Sequence, residues 1–248
     1  MVNFSVRLAD TLIRVGANYQ STLDFCSDFI VDAENPDTEV NITLGDIASE
    51  RIKAAKEREL EGLCPHEFSS EYLETLALYR KIAEALIDFD TILFHGSALS
   101  MDGSGYIFTA KSGTGKSTHA AIWRKHFGSR VEMINDDKPL LRFTDGEVRV
   151  YGTPWCGKHG LGQNLSAPLS AIAVIERAEN NSIAQCQGAD AFVHLYNQTY
   201  RIPSKEKMAR TLALIDKLRS SVGVFILRCN MDESAAEVAY GRMKGNEK

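Results

Sequence analysis

The strongest periodic signal in the chain runs from Glu71 to about Asp88, where Leu73, Leu76, Tyr79, Ile82, Ala83 and Leu86 return at spacings of three and four residues. That period predicts one amphipathic helix packed by its apolar stripe on a catalytic core, with Ser70 as N-cap and Glu71 and Glu74 in the first turn. Residues 1 to about 90 otherwise mix helical stretches with strand-like pieces such as Glu39-Val-Asn-Ile-Thr-Leu44, and Ala33-Glu-Asn-Pro-Asp-Thr38 reads as a loop. No internal repeat or low-complexity linker separates this N-terminal α+β region from the rest of the chain, so a boundary near residue 90 is soft.

Beyond it the patterning changes to that of strands. Apolar runs at Thr91–Met101 and Gly105–Ala110 flank Asp102-Gly-Ser-Gly105, a hairpin signal. With Asp102 opposite Gly105, His95 falls opposite Ser112, give or take a slip of a residue or two. A short strand at Val131–Ile134 leads into Asn135-Asp136-Asp137, and a second hairpin joins Leu140–Phe143 to Val148–Tyr151 over Asp145-Gly146. Leu169–Ile175 is a further strand, followed by helix (about Ala189–Tyr200 and Ser204–Arg219), strand (Val222–Leu227) and helix (about Glu233–Met243). The alternation predicts an α/β chain with added antiparallel hairpins.

Between the strand Gly105–Ala110 and a helical stretch Ser117–Phe127 that stops at Gly128 lies Ala110-Lys-Ser-Gly-Thr-Gly-Lys-Ser117. This is the strand, loop, helix order of a phosphate-binding (P-loop, Walker A) motif. Gly113 and Gly115 let the backbone curl with its N–H groups inward, and the helix start adds the positive end of its dipole. Lys116 is placed to reach β/γ-phosphates and the Ser117 hydroxyl to meet Mg²⁺. The plain alternative is a glycine-rich turn before an ordinary helix.

Bulk properties narrow the setting. At 248 residues and 44% hydrophobic the chain can bury a full core. A net charge of −5 and a pI near 5.7 argue against nucleic acid or an anionic membrane as partner. The first ten residues have no cationic-then-apolar signal layout and no apolar run is long enough to span a bilayer, so the expectation is a cytoplasmic protein. Cys26, Cys64, Cys156, Cys186 and Cys229 are scattered without C-x-x-C, which suggests neither zinc nor a disulfide framework.

Phosphoryl transfer needs phosphate positioning, a metal and a group that orients or deprotonates the nucleophile. Asp136 and Asp137 end a strand about twenty residues after Lys116 and point opposite ways, so one serves Mg²⁺ while the other faces elsewhere in the site; the alternative is an Asp pair capping a solvated turn. His95, placed beside the loop by the hairpin register, is positioned to pair with Asp136 and hold its charge state. His119, His126 and His194 read as surface or packing residues. The stretch Gly152–Gly162, with Trp155, Lys158 and His159, is either a substrate-covering loop or a long connection. Arg201 is either a phosphate clamp or a solvated arginine.

With His95-Gly96 on a strand, the Ser-Gly-Thr-Gly-Lys-Ser-Thr loop and the Asp136-Asp137 pair, the chain resembles the C-terminal catalytic domain of HPr kinase/phosphorylase, well over residues 91 to 142 and in outline beyond. That family shares its nucleotide-binding core with phosphoenolpyruvate carboxykinases. The resemblance implies a P-loop α/β core of this type at residues 91–248, with antiparallel hairpins and the α+β region 1–90 packed on it. It implies that Ser112, Gly113, Thr114, Gly115, Lys116, Ser117 and Thr118 bind the phosphates of ATP, that Ser117 and Asp137 hold Mg²⁺, that Asp136 is the general base, and that His95 supports it. The glycine- and arginine-rich stretch that serves the reverse, phosphorylase reaction is not found, and the first 90 residues do not look like that family's regulatory domain.

The leading expectation is therefore an ATP- and Mg²⁺-dependent kinase acting on a hydroxyl, with a serine of a peptide or small protein as the first acceptor class. A small-molecule kinase or carboxykinase-like enzyme and a non-catalytic ATP-binding regulator are the alternatives, and a homo-oligomer is left open.

Overall fold

The computed structural model describes residues 1–60, 62–158 and 160–245, and the chain divides into two compact units, Met1–Leu86 and Ile87–Lys248. The first unit opens with a hairpin, β1 (Val2–Leu8) antiparallel to β2 (Thr11–Ala17), to which β3 (Thr38–Asn41) adds in parallel. Three helices complete it: α1 (Gln20–Phe25), α2 (Leu44–Leu60) and α3 (Ser70–Leu86). The strand expected over 39–44 stops at Asn41, and Leu44 already opens α2.

Helix α3 follows its apolar period, with two corrections. The N-cap is Ser69, whose Oγ accepts the Tyr72 N–H at 3.2 Å, whereas the Ser70 hydroxyl accepts from Arg51. Leu76 is only half-buried while Glu74 is buried beside Leu73, Ala77 and Leu78. The Glu74 carboxylate accepts from the Asn18 N–H and Nδ2 (2.7 Å each), the Tyr19 N–H (3.1 Å) and the Thr22 hydroxyl (2.5 Å). A buried carboxylate persists only with such partners, and a hydropathy pattern does not see them.

The second unit is built on one nine-stranded sheet. Its strands are β4 (Thr91–Leu93), β5 (Ser97–Met101), β6 (Ser104–Thr109), β7 (Val131–Asn135), β8 (Leu140–Phe143), β9 (Val148–Tyr151), β10 (Ser166–Arg177), β11 (Ser182–Gln185) and β12 (Gly223–Cys229). Its helices are α4 (Lys116–Phe127), α5 (Gly188–Gln198), α6 (Lys205–Ser221) and α7 (Ser234–Met243). The order is β4-β8-β9-β10-β6-β5-β7, with β12 beside β10 and β11 beyond β12. β6, β10 and β12 run parallel to one another; the start of β10 pairs antiparallel with β9.

Alternation along the central strands makes two cores. On β6, Ile107 joins Ile92, Phe94, Ile172 and Val224 with Leu195 of α5 and Ile215 of α6. Tyr106 and Phe108 join Ala173, Phe225 and Leu227 with Trp123 of α4 and Ala235 of α7. The sheet is thus covered on both faces, the arrangement expected when strands present a different side chain to each side at every step. Among the described residues no helix is long and apolar enough to cross a membrane.

The apolar run Thr91–Met101 is two strands, not one. β4 pairs with β8 at one end of the sheet, and β5 lies between β6 and β7 near the other, the chain crossing at Phe94-His95-Gly96. The hairpin register is shifted by two partner residues from the Asp102–Gly105 pairing, within the slip allowed, with a turn of the same length. Asp102 (φ 52) and Gly103 (φ 79) alone form the turn, pairing Met101 with Ser104 and Ser97 with Phe108. Two successive positive φ angles are those of a type I′ turn, which Asp-Gly favours over any longer loop.

Candidate functional site at the end of β6 and β7

β6 hands over to a loop over residues 110–115 and then to α4. Gly113 (φ 75) and Gly115 (φ 127) hold backbone angles that a side chain would strain. Gly115 is the N-cap and contributes no side-chain hydrogen bond, so the first-turn N–H groups of α4 are capped by no side chain of their own. Arg177, at the end of β10, donates to the carbonyls of Gly113 (2.6 Å) and Thr114 (3.1 Å). Lys116 is half-buried with Nζ 3.4 Å from the Ala110 carbonyl. Burial lowers its pKa, Asp137 opposes that, Lys138 reinforces it and Asp136 opposes it again.

The acidic pair is set by Asn135, the last residue of β7 and fully buried. Its Oδ1 accepts the N–H groups of Asp137 (2.8 Å) and Lys138 (2.7 Å), while its Nδ2 donates to the carbonyl and hydroxyl oxygens of Thr153 (3.0 Å each). This Asx turn fixes where the following side chains start. Asp136 is buried and its Oδ1 accepts from the Ser97 hydroxyl at 2.5 Å. Asp137 is more open; its Oδ1 accepts from Lys138 Nζ at 3.0 Å and lies 3.3 Å from His95 Nε2. Gly157 (φ 73) covers it so closely that a Cβ there would stand 3.3 Å from the Asp137 Cβ.

His95 is brought to the site by its backbone. Its N–H donates to the Gln198 carbonyl (2.8 Å) and its carbonyl accepts from the Thr109 hydroxyl (2.7 Å). The imidazole faces Asp137, not Asp136 as the hairpin register suggests; Asp136 is taken by Ser97. Burial, then Lys138 and Lys116, push the His95 pKa down to about 4 against the pull of Asp137. The ring is therefore neutral near pH 7 and cannot hold a neighbouring carboxylate ionised by positive charge.

Three cavities open around the loop. One of about 1100 Å³ is bordered by His95, Ser112 and Arg177 and by Val193, His194 and Asn197 of α5. A second, about 640 Å³, lies against Gly113, Gly115, Thr118, His119 and Ile122. A third, about 360 Å³, is bordered by Ser117, Thr118, Asp136 and Leu161.

The other candidates separate from this cluster. His119 is a core residue: its Nε2 accepts from the Trp123 indole N–H at 3.1 Å, and burial pushes its pKa down to about 4. His126 stands 3.1 Å from Glu237. In the stretch 152–162, Gly152, Thr153, Pro154 and Trp155 are buried, and a Cβ on Gly152 would fall 1.9 Å from the Gln163 carbonyl oxygen, so this part is a packed connection that buttresses Asn135. Lys158 is exposed, and His159 lies outside the described residues. Arg201 is exposed, its guanidinium 5.7 Å above the Tyr196 ring. The sequence does not single out Ser97, Asn135, Lys138 or Arg177; the first three sit one or two residues from His95 or the aspartates, whereas Arg177 carries no local signal.

No family model and no curated protein matches the chain. Among solved structures it is similar to the Hpr(Ser) kinase/phosphatase from Coxiella burnetii, at 10% identity and a TM-score of 0.35, over 62% of this chain and 99% of that one.

Proposed function

We propose that the second unit is an ATP-dependent phosphotransferase acting on a hydroxyl, with the serine of a peptide or small protein as the first acceptor class. The observation that carries this reading is that the loop and the acidic pair meet in space: Ser117 and Asp136 border one cavity, and His95 Nε2 lies 3.3 Å from Asp137 Oδ1. Lys116 of the loop feels Asp137, Lys138 and Asp136, and His95 feels Lys138, Lys116 and Asp137. A cationic phosphate cradle and a pair of carboxylates on one spot is what transfer of a phosphoryl group requires.

In this reading the backbone of residues 112–118 and the Lys116 ammonium engage the phosphates. Among the described residues no three His, Cys, Asp or Glu converge as a metal cluster. Mg²⁺ in nucleotide sites needs only one or two protein donors besides phosphate and water, so the donor set present fits it. Ser117 and Asp137 would hold the ion, which when bound neutralises charge on the phosphates. The neutral His95 ring beside Asp137 leaves that carboxylate without an added full charge from the imidazole. Asp136, oriented by Ser97, takes the proton from the acceptor hydroxyl while that oxygen bonds to the γ-phosphorus and the bond to ADP breaks. One observation favours a second division of labour: Ser117 and Asp136 border the same 360 Å³ cavity, which would put Asp136 on the metal and Asp137 on the proton.

The test is transfer from γ-labelled Mg·ATP to a panel of seryl peptides and hydroxylated metabolites, with the product mapped by mass spectrometry. Phosphate on a hydroxyl supports the reading. Tight Mg·ATP binding with no transfer to any member and no ATP turnover favours a nucleotide-binding regulator instead.

A further inference from the structure

The loop has two flanks with different chemistry. His95, Lys138 and the two aspartates occupy one flank, so in a phosphotransferase the terminal phosphate of a bound nucleotide points there. The nucleoside then lies away from them, in the 640 Å³ cavity that those four residues do not line and that abuts Gly113, Gly115 and Thr118. Its apolar wall is Ile122, Ile175, Cys229 and Met231. A planar base finds contact area there.

Away from the phosphate loop, whose Thr114 and Thr118 also border the cavity, the polar side chains on that wall make hydrogen bonds within the protein. Arg177 donates to the carbonyls of Gly113 and Thr114. Asn230 Nδ2 donates to the Glu179 carbonyl and to Asp232 Oδ2, and its Oδ1 accepts the Asp232 N–H. His119 accepts from Trp123 and has Cys229 Sγ at 4.0 Å from Nδ1. The Asn230 N–H donates to Asn181 and the Ala178 N–H to the Cys229 carbonyl. Reading adenine against guanine requires donors and acceptors aimed at the base edge, and a wall that offers contact without them discriminates weakly.

We infer that this cavity seats the nucleobase by apolar contact and accepts either purine, so that the protein is a purine nucleoside triphosphate-dependent enzyme with little preference between ATP and GTP. The inference rests on the phosphotransferase reading for the direction of the phosphates, and its test separates the two.

Calorimetry on the full chain with Mg²⁺ would compare ATP, GTP and inorganic tripolyphosphate, for the wild type and for Ile122→Asp, Met231→Ala and Lys116→Ala. The expected result is ATP and GTP affinities within about fivefold of each other, the difference one neutral hydrogen bond makes. Ile122→Asp should weaken both nucleotides about tenfold or more and tripolyphosphate by a clearly smaller factor, that of the added charge alone. Met231→Ala, at a residue that is 78% exposed and so carries little of the fold, should give a smaller loss of the same kind. A preference of more than about thirtyfold for one purine, or losses from Ile122→Asp and Met231→Ala that are absent or equal for nucleotide and tripolyphosphate, overturns the inference while leaving the phosphate loop intact. No binding of any of the three, or wild-type affinities in Lys116→Ala, overturns the phosphotransferase reading and this inference with it.

Discussion

Nε2 of His95 lies 3.3 Å from Oδ1 of Asp137, and the same oxygen accepts a hydrogen bond from Lys138. The pairing joins two segments far apart in sequence that the β5–β7 pairing sets side by side, the β4–β5 crossing and the end of β7. Because the His95 pKa is pushed down to about 4, the ring stays neutral from pH 6 to 8. Replacing it with His95→Asn should lower the transfer rate and leave the shape of the rate–pH profile between pH 5.5 and 8 unchanged. An inflection near 6.5 in the wild type that vanishes in the variant would show the imidazole titrating there and refute the arrangement.

Lys116→Ala removes a half-buried cation from the loop. Mg·ATP affinity should fall by about 1.5–3 kcal/mol, a factor of roughly ten to 150, with the fold retained by circular dichroism. Calorimetry giving the wild-type affinity would exclude the loop as the phosphate site.

The two carboxylates should fail differently. Asp137→Asn is expected to raise the Mg²⁺ concentration needed for half-maximal transfer. Asp136→Asn should slow the chemical step by about 10²–10⁴-fold with Mg·ATP affinity within about threefold of wild type. The opposite pattern assigns the metal to Asp136, and wild-type rates in both variants remove the pair from the chemistry.

Asn135→Ala should cost about 2–4 kcal/mol of stability, measured by urea unfolding, because Thr153 loses its donor and the Asp137 and Lys138 N–H groups lose their acceptor inside the fold. At temperatures where the variant is folded, its transfer rate should still fall, since the turn that aims the aspartates is no longer fixed. A stable variant with full activity would contradict the role given to the Asx turn.

His119 gives a pH-dependent stability of known sign. Its pKa is about 4 in the fold against an ordinary 6.5, so below 6.5 the unfolded chain binds the proton first. The stability is fully present above pH 6.5 and is lost as the pH falls toward 4; His95 acts in the same direction. Urea midpoints at pH 7, 5.5 and 4.5 should fall more steeply for the wild type than for His119→Phe. Equal slopes would mean that the ring is protonated in place.

What was legible in the sequence was local. The glycine loop, the helix ending at Gly128, the hairpin over Asp145-Gly146 and the apolar stripe of α3 each announce themselves within a dozen residues. The break at Phe94-His95-Gly96 does not, because both halves are apolar and only the distant partners β8 and β7 hold them in different parts of the sheet. The shifted register follows from turn geometry: Asp102-Gly103 supplies the two positive φ angles of a type I′ turn, whereas the sequence offers Gly103-Ser104 as a second central pair. Site residues within the motif are legible in the sequence, whereas Arg177 and Ser97 are recruited by tertiary contact alone. The same cause sent His95 to Asp137: a register argument places a backbone, while the partner of its ring depends on which neighbour Ser97 has already claimed.

β10 has a consequence for the order in which the molecule is made. The strand that leads into the loop, β6, has β5 on one side and β10 on the other, and β10 needs β12 beyond it. A nascent chain released only as far as Tyr151 holds the whole glycine motif and both aspartates, yet β6 then presents an open parallel edge to solvent. The loop also lacks Arg177 at that stage. The motif is therefore written early and becomes rigid late, and a fragment ending there should be captured by chaperones or aggregate rather than bind nucleotide.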